Sequence, residues 1–174
     1  MKKRILIPII LLSLVQGLYA LSYSAHFSLY PGAGLTRIKD DDTIWTSYTF
    51  TAEVDALGLR AGGHTISLPM SMTYFSDSGI NGYYRILSHF DFNIALSYRY
   101  AFTDLFSLKA KGGIGYRYYD GIDASAASFI AALAAEFYPC EVTAITIPVE
   151  AFIAKDEIAI SIGLGLLVRL GGGK

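Results

Sequence analysis

Across segment after segment of this chain every second residue is oily, and the residues between are polar, charged or small. From His89 to Phe102 one register reads Phe90, Phe92, Ile94, Leu96, Tyr98, Tyr100 and Phe102, and the other reads His89, Asp91, Asn93, Ala95, Ser97, Arg99 and Ala101. A repeat of two is the signature of an extended strand, whose side chains alternate between faces. Ser107 to Tyr119 does the same, with Leu108, Ala110, Ile114, Tyr116 and Tyr118 set against Lys109, Lys111 and Arg117. Ile158 to Leu170 sets Ile158, Ile160, Ile162, Leu164, Leu166, Val168 and Leu170 against Ala159, Ser161, Gly163, Gly165 and Arg169. A soluble barrel puts its bulky apolar face into its bore. A membrane barrel shows that face to lipid and keeps charge and glycine inside, and this pattern predicts the second arrangement.

The sequence opens on Met1, Lys2, Lys3 and Arg4, continues through the apolar run Ile5 to Val15, and reaches small residues by Ala20. This order reads as a secretory signal peptide over residues 1–20, cut after Ala20, with a cut after Gly17 as the alternative. Its apolar core is too short for a spanning helix, which needs ~20 residues. The chain is 53% hydrophobic with a mean hydropathy of +0.41, values that usually accompany membrane helices. Yet each later apolar run is broken within about ten residues by charge, glycine or proline, which is what membrane strands produce. A net charge of −1 without a basic stripe argues against nucleic-acid binding. The lone Cys140 rules out an internal disulfide and reads as a free thiol in a turn.

Residues 21–174 read as one domain, a closed antiparallel up-and-down transmembrane β-barrel of about eight strands. The strands are expected near 22–36, 44–56, 59–75, 86–102, 106–119, 126–138, 143–153 and 158–170. An even count puts both ends on the periplasmic side to which the signal delivers the chain. Outer connections then fall at Arg37 to Thr43, Ser76 to Arg85, Asp120 to Ser125 and Ala154 to Glu157. The short periplasmic turns fall at Leu57 with Gly58, at Thr103 to Leu105, and at Pro139 to Val142. Ala126 to Tyr138 also fits an alanine-rich helix with Phe129, Leu133 and Phe137 on one face. Strand is the expectation there, because a barrel that loses a wall opens its edges. Pro31, Pro69 and Pro148 fall inside strands and should mark bulges or strand ends.

Inward positions collect five bases, Arg99, Lys109, Lys111, Arg117 and Arg169, and five acids, Glu53, Asp55, Asp91, Glu136 and Glu150. Folding the hairpin about Asp104 sets Asp91 opposite Arg117 and Arg99 opposite Lys109. The second pair repels unless Glu53, Asp55 or Glu136 reaches across the bore. Folding the next hairpin about the Ile122–Asp123 bond sets Lys109 opposite Glu136, and folding the first about residue 40 sets His26 opposite Glu53. The balanced set reads first as a plug, and second as a charge-lined conduit for small ions. Inward glycines Gly32, Gly34, Gly113, Gly115, Gly163 and Gly165 are expected to make room for the long basic side chains. Aromatic residues gather toward strand ends: Tyr98, Tyr100 and Phe102 at the inner end, and Tyr48, Tyr74, Phe90, Tyr116 and Tyr118 at the outer, forming two girdles. His64 and Arg60 fall on the outward register near the inner rim, in reach of lipid headgroups.

The leader, the short mature length, the alternation and the aromatic belts together resemble the small outer-membrane barrels of diderm bacteria, the OmpX, OmpW and OmpA membrane-domain group. The resemblance is one of architecture over the whole mature chain. It departs at the carboxyl end, where Leu170, Gly171, Gly172, Gly173 and Lys174 stand in place of the aromatic residue such barrels commonly carry. It implies an outer-membrane location, outer-membrane lipid as surroundings, the barrel-assembly machinery as a partner in biogenesis, and an extracellular ligand of unspecified chemistry.

No strong catalytic pattern occurs. The best candidate is Asp77 and Ser78 in an outer loop with His89 on the next strand, since some lipid A-modifying barrels use such residues for acyl transfer. The bland reading, loop polarity and an inward histidine among polar neighbours, carries more weight. Asp40, Asp41 and Asp42 read as a solvated loop tip, not a calcium site, and His26, His64 and His89 with Cys140 make no zinc spacing. No cofactor is expected. Three functions are distinguished: a non-enzymatic integral barrel with a structural, surface-interaction or narrow-pore role; a soluble lipocalin-like barrel with its apolar register inward; and a lipid A-modifying enzyme.

Overall fold

The computed structural model describes residues 22–38, 44–79, 87–120, 125–155 and 157–171. They form β1 (Ser22–Ile38), β2 (Ile44–Ala61), β3 (His64–Gly79), β4 (Leu87–Ala101), β5 (Phe106–Tyr119), β6 (Ser125–Phe137), β7 (Thr143–Ala154), β8 (Glu157–Gly163) and β9 (Gly165–Gly171). From β1 to β8 each strand pairs antiparallel with the next, β9 pairs with β7, and β1 closes the ring by pairing with β2 on one side and with β8 and β9 on the other. β8 and β9 are two halves of one wall, so the ring has eight staves. The alanine-rich segment is strand β6, paired along its length with β5 and β7. A strand satisfies its neighbours' backbone groups there, which a helix would leave open.

Alternation sets the faces. On β4, Phe92, Ile94, Leu96 and Tyr98 are exposed while Asp91, Asn93, Ala95, Ser97 and Arg99 are buried. The same holds round the ring: Leu96 is 62% exposed, Ile114 66%, Leu133 68% and Leu164 60%, yet Arg117 and Asp91 are both at 0%. The apolar register thus faces out and the charged register fills the bore.

One end of the ring carries short turns and the other carries the connections 39–43, 80–86, 121–124 and 155–156. These are named the turn end and the loop end. The loop-end connections lie largely outside the described residues, as do residues 1–21 and Asp40 to Asp42.

Three findings correct the sequence reading. The β2–β3 turn is at Gly62 and Gly63, not at Leu57 and Gly58, and among the described residues Gly62 alone takes a positive φ, 58°, which a residue with a Cβ adopts at a cost. Leu57 instead belongs to a bulge in β2, where pairing with β3 jumps from Asp55↔Pro69 to Gly58↔Ser67. The extra residue flips the faces beyond it. Arg60 therefore lies on the inward register, paired with buried Thr65, while His64 alone faces out, its Nδ1 2.6 Å from the Tyr98 hydroxyl.

The third concerns registers. β5 and β6 pair as Lys109↔Ala134 and Ser107↔Glu136, so Glu136 is two residues away from the expected place opposite Lys109. In the first hairpin His26 pairs with Asp55, not Glu53. Asp91↔Arg117 and Arg99↔Lys109 are as folding about Asp104 sets them.

All three prolines sit where the ladder is interrupted. Pro69 is at the β2 bulge and is skipped on its β4 side, between Ser67↔Ser97 and Met70↔Ile94. Pro31 and Pro148 flank the last wall from opposite sides at Leu164, where β8 ends and β9 begins. Neither proline has an N–H to give, which splits that stave. Leu164 still donates its N–H to the Pro31 carbonyl at 3.1 Å.

Candidate functional site: the ion-paired lumen

Two ionic clusters occupy the bore. Toward the loop end, Arg117 on β5 makes a bidentate pair with Asp91 on β4, Nε to Oδ1 and Nη2 to Oδ2 both at 2.8 Å. Its third nitrogen, Nη1, lies 2.6 Å from Glu157 on β8. Glu157 also accepts from the Tyr119 hydroxyl at 3.1 Å and lies 4.0 Å from His89 Nε2. His89 stacks on Phe75 with ring centres 4.4 Å apart, and the Arg117 guanidinium stands 5.6 Å from the same ring. One planar cation thus ties three walls together, gripping Asp91 with a bidentate fork that an ammonium could not make.

Toward the turn end the network is larger. Glu136 on β6 accepts four bonds: from Arg99 Nε at 2.7 Å and Nη2 at 3.0 Å, from Ser107 at 2.7 Å and from Tyr138 at 2.8 Å. Arg99 also donates to His26 Nδ1 at 3.3 Å and lies 3.8 Å from Asp55. Lys109 pairs with Glu53 and stands 3.5 Å from Asp55. Lys111 pairs with Glu53 and, at 2.7 Å, with Glu150, which takes a further bond from Tyr30 at 2.8 Å. Arg99 and Lys109 are ladder neighbours of like charge, and carboxylates from β2 and β6 reach across to both. Opposite charge close by is what a buried charge requires, since an unpaired one would carry a desolvation penalty of several kcal/mol. Arg169 stands apart from these pairs, with its guanidinium 5.4 Å from the Tyr138 ring.

Between the clusters the bore is filled by an apolar layer, the waist. From Arg117 down to Lys111, β5 offers only Gly115 and Gly113 to the inside, and facing them on β4 are Asn93 and Ala95. A Cβ on Gly113 would fall 2.2 Å from the Ile94 carbonyl oxygen and 2.5 Å from Ala95 Cα. One on Gly115 would fall 2.1 Å from Asn93 Oδ1. The space these glycines leave is therefore taken by the neighbouring strand, not by lysine and arginine chains as expected. Into the waist pack Phe75, Ile130, Phe152, Ala95 and Ala159, all buried in one cluster. Phe75 on β3 and Phe152 on β7 meet edge to face with centres 4.9 Å apart. In an eight-stave ring these strands stand on opposite sides, so the two rings bridge the full width.

Beside the turn-end cluster is a cavity of about 20 Å³ bordered by Tyr30, Glu53, Lys109, Lys111 and Glu136. That is room for about one water molecule.

His89 is buried at 0% against Phe75, and Asp77 and Ser78 are backbone partners of Ser47 and Thr46 on β2, their side chains lying outside the described residues. On the outer face, rings form a chain of contacts at the turn end: Tyr100 with Phe102 at 4.7 Å, Phe102 with Phe106 at 5.7 Å, and Phe106 with Phe137 at 5.0 Å. Tyr98 and Tyr100 flank His64 there. Toward the loop end Tyr74 and Phe90 touch at 5.0 Å, and Tyr48, Tyr116 and Tyr118 are exposed. Cys140 is exposed in the turn after β6, 2.9 Å from the Thr143 hydroxyl, and that bond with two from backbone groups lowers its thiol pKa.

Tyr30, Tyr119, Tyr138 and Glu157 belong to the network but were missed from sequence. Tyr30 shares the His26 and Ser28 register, and Glu157 extends the register of Ala159 and Ser161 into what reads as a loop, so parity was the available signal.

No family model and no curated protein matches the sequence. Solved structures do match. The attachment invasion locus protein Ail of Yersinia pestis superposes with a TM-score of 0.58 at 11% identity, over 85% of this chain and 99% of that one. Neisserial surface protein A gives 0.61 at 7% identity, over 83% and 96%. The backbone structure of the outer membrane protein Ail in a phospholipid bilayer nanodisc gives 0.50 at 14% identity, over 84% and 99%. The fold is that of the small eight-stranded outer-membrane barrels.

Proposed function

We propose that the chain is an integral outer-membrane barrel with a filled bore, serving the envelope as a structural element and a small surface platform, without catalysis. The observation that carries this reading is the inversion of faces: isoleucine, leucine and aromatic side chains stand exposed all round the ring while Arg117, Asp91, Glu136 and Glu150 are buried inside it. A soluble protein rarely exposes a contiguous apolar patch above a few hundred Å², and here the apolar surface is a continuous belt. In hydrocarbon the belt is at no disadvantage, and closure of the ring leaves no edge backbone unpaired. A lipocalin-like reading needs an apolar bore, and this bore is ionic.

In this reading the signal peptide is removed, the turn end faces the periplasm, the two groups of exposed rings lie at the headgroup levels as girdles, and the barrel-assembly machinery inserts the chain. Cell fractionation tests it. The protein should stay with the outer membrane after salt and carbonate washing and need detergent for release; recovery in the soluble periplasm would remove the proposal. His89, packed against Phe75 in the bore, is assigned to packing. A lipid A acylation assay should therefore find wild type and His89→Ala equally inert, and acyl transfer lost in the variant would restore the enzyme.

A further inference from the structure

We infer that the barrier to water and ions through this barrel is the apolar waist, and not the ion pairs on either side of it. The inference rests on the membrane reading above and adds where and by what chemistry the bore is shut. Long charged side chains are an imperfect seal, because they carry their own hydration and swing between partners. Glu53 is already shared by Lys109 and Lys111, and a water-sized cavity already borders them. The waist offers neither freedom. Phe75 and Phe152 are both at 0% exposure and meet across the whole width, with Ile130, Ala95 and Ala159 closing the remainder.

Gly113 and Gly115 place no side chain on the β5 wall at this level, where one would collide with Ala95 or Asn93. His89 stacks on one ring at 4.4 Å and Arg117 is held 5.6 Å from it by Asp91 and Glu157, so Phe75 has no room to rotate away. A constriction of this kind excludes ions by keeping water out, which requires no charge of its own. With polar groups at both ends, removing the rings joins two wettable compartments into one path.

Planar-bilayer recording in molar KCl tests the inference on the refolded full barrel. Wild type should be silent. Phe75→Ala/Phe152→Ala, and the milder Phe152→Thr that keeps part of the volume while admitting water, should both show step-like conductance. Lys111→Met, which breaks the pairs with Glu53 and Glu150 but leaves the waist, should remain silent. Folding of each variant is checked by its shifted migration on unheated gels. A folded Phe75→Ala/Phe152→Ala barrel that is silent would overturn the inference. So would conductance from wild type, or from Lys111→Met with the waist intact. Should Phe75→Ala/Phe152→Ala not fold, Phe152→Thr decides by the same criterion. Wild type that never enters the bilayer would instead count against the membrane reading itself.

Discussion

The two ionic clusters of the bore use the same chemistry and are built in different ways. At the loop end the principal pair, Asp91 and Arg117, consists of ladder partners on adjacent strands, and only Glu157 comes from across the ring. At the turn end no principal ion pair is between ladder partners. Arg99 faces Lys109 in the ladder, and both are neutralised by Asp55 from β2, with Glu53 on Lys109 and Glu136 from β6 on Arg99. The principal pair of the first cluster stabilises one hairpin, and the Arg117–Glu157 contact is added when the ring closes. The second draws every pair from strands that are not neighbours, so it depends wholly on closure and reports it most fully.

Glu136→Leu presses hardest on this contrast. It strips Arg99, Ser107 and Tyr138 of a shared acceptor and leaves Arg99 with only the bond to His26 and the longer contact to Asp55, so urea unfolding from lipid vesicles should show a loss of about 3–5 kcal/mol. A loss below about 1 kcal/mol would mean the turn-end cluster is dispensable. Next comes a double-mutant cycle on Asp91 and Arg117. Either single change to leucine leaves a buried charge without its bidentate partner, Arg117 then keeping only Glu157, and the double change should recover about 2 kcal/mol of the summed losses. Strict additivity would show that the pair does not act as a unit.

Between the clusters, Gly113→Ala should lower stability by about 1–3 kcal/mol, because its methyl meets backbone rather than a movable side chain. Gly62→Ala in the turn should lower it by about 1–2 kcal/mol through the positive φ alone. The smallest effect is on topology and leaves stability unchanged. Cys140 should react with a membrane-impermeant maleimide in permeabilised cells and not in intact ones, and reaction in intact cells would invert the orientation.

What could be read from the sequence follows the same division. Alternation along Phe90 to Phe102 shows the strand and its faces, and a three-residue turn at Asp104 fixes Asp91 against Arg117 because few residues intervene. The longer connection 120–124 leaves the hairpin axis free by one residue. That moves Glu136 by two places in the ladder, from Lys109 to Ser107. The bulge at Leu57 has no local marker, since Ala56, Leu57 and Gly58 read equally well as a turn, and so the true turn at Gly62 and the inward placement of Arg60 were hidden. The waist is written in the sequence only as exceptions. Phe75, Ile130 and Phe152 are bulky apolar residues on the register that mostly holds polar, charged and small residues, and nothing short of closing the ring shows that they meet.

The central claim is that the bulky apolar register faces hydrocarbon. It is tested most directly by placing a single tryptophan at Leu96 or at Ser97, with Trp45, the only natural one, replaced by phenylalanine. In vesicles of brominated phospholipid the emission from position 96 should be strongly quenched and that from position 97 should remain. Quenching at 97 and none at 96 would contradict the account.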